Sequence, residues 1–283
     1  MQTCAKINLF LKVLGTRVDG YHELETVFLP IPKLFDDVTV TPSNKPSLSI
    51  SCNMPELETD GNLCLKAARA FCNQTGLPQA FHVELVKRIP VAAGLGGGSS
   101  DAAATILQLN GFLKNPLPDF RLREIAVSVG ADIPFFINPT PSKGLGLGNI
   151  LSPIDISSQL DVLVVSPGIP IPAKWAYKAY DDYKNDNKIP PPTANLNEFC
   201  QACASASAEE IAKLCHNDLE YAIFDKFPLI AMMRDHLLAK GALCAHVSGS
   251  GSSLFALLPH DRRDIRDDFA NAFQDVASMT IHP

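Results

Sequence analysis

The chain has 283 residues, 46% hydrophobic and 19% charged, a composition that excludes a disordered protein and leaves room for a sizeable core and two domains. Its formal net charge of −6 argues against a nucleic-acid or anionic-membrane surface, while allowing a local site for one anionic ligand. No apolar run approaches the roughly 18–20 residues that span a bilayer. No basic or Arg/Ser-rich leader precedes the first strand, so the expected location is the cytoplasm.

Residues 5–13 alternate, with Ile7, Leu9, Leu11 and Val13 on one face and Lys6, Asn8, Phe10 and Lys12 on the other, which predicts a strand whose polar face is able to line a site. A loop over 15–20 leads to a returning strand over 25–31, then short strands over 38–41 and 47–51. Helical spacing runs from Asn62 to Phe71, with Thr59 or Asp60 near its start, and 81–86 alternates as a strand. A helix over 102–110 stopping near Gly111, a second over 122–129 ending at Gly130, and a tight turn into apolar residues over 131–137 follow. The second half reads as a buried strand over 161–165, a proline-rich loop over 167–172, a linker-like stretch over 185–193 and helices near 208–215 and 229–239. It closes as strand, glycine turn and strand over 242–258. The eight cysteines read as reduced small hydrophobes. Cys200-Gln-Ala-Cys203 has no second pair, and Cys215 beside His216 lacks the spacing of a zinc site. The mixture of helices and antiparallel-looking strands in both halves predicts an α+β fold with a boundary near residue 155.

The most informative stretch is Pro90-Val-Ala-Ala-Gly-Leu-Gly-Gly-Gly-Ser-Ser-Asp101, a strand exit, a glycine cluster and a helix start. Gly94, Gly96, Gly97 and Gly98 allow several backbone N–H groups to approach an anion, and a helix N-terminus adds unpaired donors and positive dipole potential. The plainer alternative is a tight turn with Ser99 or Ser100 as N-cap and Asp101 in the first helical turn. No Gly-Lys-Ser/Thr follows, so this is not a Walker A loop, and His-Arg-Asp and Asp-Phe-Gly signatures are absent. Gly249-Ser-Gly-Ser252 is open between a second anion-binding loop and a plain hairpin turn. Taken singly, Lys6 reads as a solvated strand lysine, Asp132 as a turn former, and His82 and Glu84 as polar groups on a strand face.

Four blocks in order carry a resemblance: Ala5-Lys-Ile-Asn-Leu-Phe-Leu11 with Asp19-Gly-Tyr-His22; Gly94-Leu-Gly-Gly-Gly-Ser-Ser-Asp101; Gly130-Ala-Asp-Ile-Pro134; and Ser248-Gly-Ser-Gly-Ser252, with Asn217-Asp-Leu-Glu220 beside them. The chain resembles the GHMP kinase superfamily and, within it, the 4-diphosphocytidyl-2-C-methyl-D-erythritol kinases of the non-mevalonate isoprenoid route. The resemblance implies a two-domain fold with the active site in the cleft between an N-terminal ATP-binding domain, 1–155, and a C-terminal substrate-binding domain, 156–283. It implies transfer of the ATP γ-phosphoryl group, with Mg²⁺, to the 2-hydroxyl of a substrate carrying a cytidine diphosphate group. Lys6 and Asp132 fall on the family's catalytic pair. Pro90, Gly94, Leu95, Gly96, Gly97, Gly98, Ser99 and Ser100 fall on its ATP-phosphate loop. Asn8, Tyr21, His22, Tyr177, Gly249, Ser250 and Gly251 fall on its substrate site.

No direct protein ligand for a metal is identifiable, and the expected assembly is a monomer or homodimer. Asp101 would repel a bare phosphate, so its expected task is helix stabilisation or help to a Mg²⁺-bound water. Asn149 stands where the family usually has an acidic residue, and Trp175 is a further aromatic near the substrate positions. The competing readings are another GHMP small-molecule kinase and a catalytically silent nucleotide-binding regulator on the same scaffold.

Overall fold

The computed structural model describes residues 1–274 and 278–282. Two long strands, β1 (Gln2–Thr16) and β2 (His22–Pro42), are hydrogen-bonded neighbours joined by a loop in which Gly20 takes φ +82° and Tyr21 N–H is held by Asp19 Oδ1 at 3.1 Å. The chain forms two compact units. One comprises Met1–Ala5, Pro30–Ile89 and Gly96–Thr140, the other Lys6–Leu29, Pro90–Leu95 and the chain from Pro141 onward. The expected cut at residue 155 separates an ATP-binding from a substrate-binding role. By contacts the division is interleaved, because β1, β2 and the glycine loop each begin in one unit and end in the other.

The sequence predicts two strands where β2 is continuous through Pro30 and Pro32. Proline lacks the N–H a ladder needs and is tolerated where pairing lapses. Residues 24–28 pair with one partner strand and 37–42 with another, so both prolines lie in the interval where the partner changes.

In the first unit, β3 (Ser49–Cys52) runs parallel to β4 (Phe81–Val86), which pairs antiparallel with residues 37–42 of β2. Helices α1 (Leu63–Thr75), α2 (Gly97–Asn110) and α3 (Asp119–Val127) pack on one another, and a 3-10 turn, Ile133–Ile137, packs against α2 and α3. The amphipathic α1 buries Cys64, Leu65, Ala67, Ala68, Phe71 and Cys72 and ends at Gly76, φ +74°, a left-handed position open to glycine. Its N-cap is Asn62, not Thr59 or Asp60: Asn62 Oδ1 accepts from Cys64 N–H at 2.9 Å while Nδ2 donates to Leu57 O at 2.9 Å. Ser99 and Ser100 likewise do not cap α2, which begins earlier at Gly97 with Gly96, φ +72°, as N-cap. His82 is hydrogen-bonded through both ring nitrogens, to Ser49 and Ser51 hydroxyls at 2.9 Å each.

In the second unit, β5 (Ser142–Gly146) pairs antiparallel with residues 24–28 of β2, and β6 (Ile150–Pro153) pairs with β5. Next come β7 (Asp161–Ser166), α4 (Ala173–Asn185), α5 (Leu196–Ser205), α6 (Ala208–Ala212) and β8 (His216–Asn217), the last parallel to β1. The chain closes with α7 (Glu220–Lys226), α8 (Pro228–Ala239), β9 (Cys244–Val247), β10 (Leu254–Leu258), α9 (Arg263–Phe273) and β11 (Ser278–His282). Strands β7, β9, β10 and β11 form an antiparallel sheet in the order β11-β7-β10-β9. Its inward residues, among them Leu163, Val165, Val247 and Leu254, pack with Ile230, Met233, Leu237, Ile265 and Phe269 of α8 and α9 in one core. Helices α4, α5, α7 and α9 are not anticipated from the sequence. In α4 the buried positions are only Ala176 and Tyr180, too thin a stripe among lysines and aspartates to register as helical period.

Asn62→Ala removes a cap that ties α1 both to its own first turn and to Leu57, and is expected to lower stability by about 1 kcal/mol in an equilibrium urea titration. An unchanged midpoint would show that the cap carries no weight.

Candidate active site

The glycine loop begins where β4 ends and leads into α2. Its first half lies in the second unit, where Gly94 takes φ +77°. A Cβ built there would stand 2.0 Å from Ser248 O and 2.9 Å from Gly251 N, so only glycine admits this approach of two backbones. The two segments are sewn together: Ser248 Oγ donates to Gly94 O at 3.1 Å and Ser253 N–H to Ala93 O at 3.1 Å. Leu95 has a buried side chain, and its carbonyl accepts from Lys6 N–H at 2.9 Å.

Lys6 is thereby brought beside the loop. Its ammonium is buried, donates to Asn8 Oδ1 at 2.6 Å and lies 5.4 Å from the centroid of the Phe28 ring. Asn8 Nδ2 donates to Thr26 Oγ1 at 2.8 Å, and that hydroxyl donates to Phe10 O at 2.7 Å, so the amide is oriented with its oxygen toward the lysine. A Cβ on Gly249 would stand 3.2 Å from Asn8 Oδ1 and 3.3 Å from both Lys6 Nζ and Gly94 O. Lys6, Asn8, Gly94 and Gly249 therefore converge within the second unit. Ser250 is half-buried at the tip of the same turn, and Gly251, φ +76°, donates its N–H back to Ser248 O at 2.9 Å.

This turn is anchored from behind. Asn217, fully buried, donates to Val247 O at 2.7 Å and Gly249 O at 2.8 Å and accepts from Leu219 N–H at 2.9 Å. Glu220 accepts from Val247 N–H at 3.2 Å and faces His246 Nδ1 at 3.1 Å. Burial alone would pull the His246 imidazolium down, but the Glu220 carboxylate outweighs it and holds the pKa up at about 9, so the pair is ionic at neutral pH.

The second half of the loop lies in the first unit. Gly98 is exposed and Ser99 half-buried at the start of α2, where the leading N–H groups have no intrahelical acceptor. Ser100 differs. Its hydroxyl donates to Cys4 O at 2.8 Å and touches Thr3 Oγ1, and its N–H is bonded to Gly96 O, so both its donors serve the protein. Gly97 is required by packing: a Cβ would stand 2.8 Å from Ile89 Cγ2 and 3.1 Å from Lys87 Nζ. Asp132 stands half-buried at the N-cap of the 3-10 turn that packs against α2, in the same unit as Gly97, Gly98 and Ser99.

Sequence reading misses Lys87 and Asp36. The Lys87 ammonium, buried just past the end of β4, binds Asp101 Oδ2 at 2.8 Å and contacts Asp36 Oδ2. Asp36 Oδ1 also accepts from the N–H groups of Arg88 and, at 2.8 Å, Ile89. The available signal is position alone, since Lys87 follows β4 three positions before Pro90. Asp101 thus faces an ammonium. Among the described residues no cluster of three His, Cys, Asp or Glu side chains is arranged to cage a metal ion.

Two further groups lie in the second unit. The His22 ring stacks on Tyr177, centroids 4.8 Å apart at 23°, and its Nε2 is 2.9 Å from Asp181 Oδ1. Tyr21 is exposed on the adjoining loop. Trp175 packs edge-on against Phe227. Asn149 Oδ1 accepts from Leu147 N–H at 3.1 Å, the bond a carboxylate would make at this turn.

Comparison with known proteins shows the family. The model of the GHMP kinases N terminal domain matches residues 62–138, and that of the GHMP kinases C terminal matches residues 199–275. The 4-diphosphocytidyl-2-C-methyl-D-erythritol kinase of Chlorobium phaeobacteroides (strain BS1) is 39% identical, over 89% of this chain and 86% of its own length. That of Chlorobaculum parvum is 34% identical over 100% and 96%. A crystal structure of 4-(cytidine 5'-diphospho)-2C-methyl-D-erythritol kinase superposes with a TM-score of 0.78 at 31% identity, covering 99% of this chain and 98% of that one. An L. major mevalonate kinase shares the fold, with a TM-score of 0.75 at 16% identity, over 99% of this chain and 93% of its own. With its α+β fold and both GHMP domains, the chain belongs to the 4-diphosphocytidyl-2-C-methyl-D-erythritol kinase family of small-molecule kinases.

Proposed function

We propose that the protein transfers the γ-phosphoryl group of ATP to the 2-hydroxyl of 4-diphosphocytidyl-2-C-methyl-D-erythritol, giving the 2-phosphate and ADP. The observation that carries the reading is the convergence of Lys6 and Asn8 on the Gly94 and Gly249 backbones, a desolvated cation beside two glycine segments. Phosphoryl transfer has a loose transition state with charge spread over the equatorial oxygens, so the protein's work is positioning and electrostatic stabilisation. Lys6 offsets that charge, and because Asn8 and Thr26 fix the ammonium beforehand, little reorganisation is needed at reaction.

On this reading the N–H groups of Gly97, Gly98 and Ser99 at the start of α2 receive the nucleotide's phosphates. Ser100 supports the loop from inside through Thr3 and Cys4, in place of the direct contact expected from the sequence. Asp132 orients the acceptor hydroxyl or takes its proton. The Gly249, Ser250 and Gly251 turn supplies backbone donors to the substrate diphosphate. His22 and Tyr177 form an aromatic platform for the pyrimidine, with Asp181 orienting the imidazole and Tyr21 closing over it from the exposed loop. Mg²⁺ fits as an ion carried by nucleotide oxygens and water, the usual coordination of a cation that dehydrates reluctantly, and supplies charge neutralisation on the transferring group.

Coupled ADP release with Mg-ATP tests the reading: turnover is expected with the cytidine-linked substrate and not with the same sugar alcohol phosphate lacking cytidine. Turnover with neither would overturn the assignment. Asp132→Ala is expected to lower kcat by at least ~10²-fold with the fold intact, the scale of general-base removal; near-wild-type kcat would remove Asp132 from the chemistry. Gly94→Ala forces a Cβ into the Ser248 carbonyl and is expected to cost about 1–3 kcal/mol of stability and to weaken turnover. Equal melting temperatures and rates for the two proteins would contradict the close approach of these backbones.

A further inference from the structure

One ammonium ties the two ends of the glycine loop. Lys87 is the first residue after β4, three positions before Pro90, and Asp101 lies one turn into α2 beyond the glycines; their 2.8 Å ion pair closes the segment between them. The same ammonium contacts Asp36 from β2, and the three side chains are 4%, 3% and 0% exposed for Lys87, Asp101 and Asp36. Asp36 is saturated, with Lys87 on one oxygen and the Arg88 and Ile89 N–H groups on the other. Asp101 is not: its Oδ1 is buried without a hydrogen-bond partner.

Among the described residues no second cation faces Asp101. From α1 the facing group is the Cys64 thiol, which burial and then the Asp101 charge push up to about 12, so it is neutral. Behind it, the Cys52 thiol on β3 adds to the same effect. From α2 itself, Thr105 Oγ1 donates to the Asp101 carbonyl, not to its carboxyl. Arg88 turns outward to Asp37 at 2.7 Å. With both carboxyls ionised the cluster would carry one uncompensated negative charge away from water, which is costly. Burial accordingly raises the Asp101 carboxyl to about 7, against the pull of Lys87 and with the help of Asp36.

Asp101 is four residues beyond Gly97, about 6 Å along the helix axis, and helical side chains lean toward the N-terminus. A polyphosphate at the start of α2 therefore adds like charge within a Debye length of this carboxyl. We propose that Asp101 is a proton-linked positioning residue: clamped by Lys87 beneath the glycine loop, its carboxyl takes a proton from solvent onto Oδ1 when a nucleotide polyphosphate binds, and returns it when the nucleotide leaves. The proposal rests on the reading of this loop as the ATP-phosphate site. By linkage, nucleotide affinity falls as pH rises through the range in which free Asp101 ionises.

The test is calorimetric titration of the protein with Mg-ADP at pH 6 and pH 8, each in two buffers of different ionisation enthalpy, for wild type and Asp101→Asn. Wild type is expected to take up almost no proton at pH 6 and about 0.5 proton or more per ADP at pH 8, with several-fold weaker affinity at the higher pH. Asp101→Asn is expected to bind ADP with that uptake abolished and with affinity nearly level between the two pH values. An infrared difference spectrum of wild type at pH 8, expected to gain a protonated-carboxyl band on ADP addition, decides the matter without the variant. ADP binding with no proton uptake at pH 8, or equal uptake by Asp101→Asn, overturns the proposal and leaves the loop's assignment standing; no ADP binding at all overturns both.

Discussion

Gly94 has the carbonyl of Ser248 where a side chain would be, and the rest of the candidate site depends on that close contact of two backbones. It draws the first half of the glycine loop onto the turn between β9 and β10, where Ser248 Oγ and Ser253 N–H hold it. The Leu95 carbonyl then receives Lys6 N–H, which fixes β1 in register with the loop and brings the Lys6 ammonium to within 3.3 Å of the space beside Gly249. A bulkier residue at position 94 would push these backbones apart and strain the hydrogen bonds that hold the loop beside the lysine.

Around that contact the Ser252 and Ser253 hydroxyls are buried without a hydrogen-bond partner, but the polar groups that reach Lys6 and the β9 end are paired, as buried polar groups generally are. Asn8 and Thr26 pass Lys6's hydrogen bond to the Phe10 carbonyl. Asn217 and the Glu220–His246 ion pair hold the β9 end from behind. Such second-layer partners fix rotamers and tautomers in advance, which lets a site act electrostatically without reorganising. The Lys87 cluster follows the same logic at the other end of the loop, and differs in leaving one carboxylate oxygen unmatched.

Much of this is legible from local sequence. The alternation of residues 5–13 identifies β1 and its polar face, because side chains on a strand alternate whatever the strand packs against. The glycine cluster identifies a loop of unusual backbone freedom followed by a helix, and Gly111 marks where that helix stops. Residue order likewise carries the family blocks, since chemistry at a glycine loop requires those residue types at that spacing.

What only the tertiary structure decides is which distant groups meet. Ser248 and Gly94 are 154 positions apart, Lys87 and Asp36 are 51 apart, and Asp218 holds Val13 N–H across 205. No local propensity distinguishes Ser100 as a partner of β1 from Ser100 as a helix cap; that turns on Thr3 and Cys4 lying beside it. Nor does the local pattern reveal that β2 continues through two prolines, which depends on its partner strand changing at that point. Period and backbone preference are properties of a few consecutive residues and are written in the sequence. Burial, pairing and charge balance belong to contacts the folded chain alone creates, and they set what Lys6, Asp101 and His246 do.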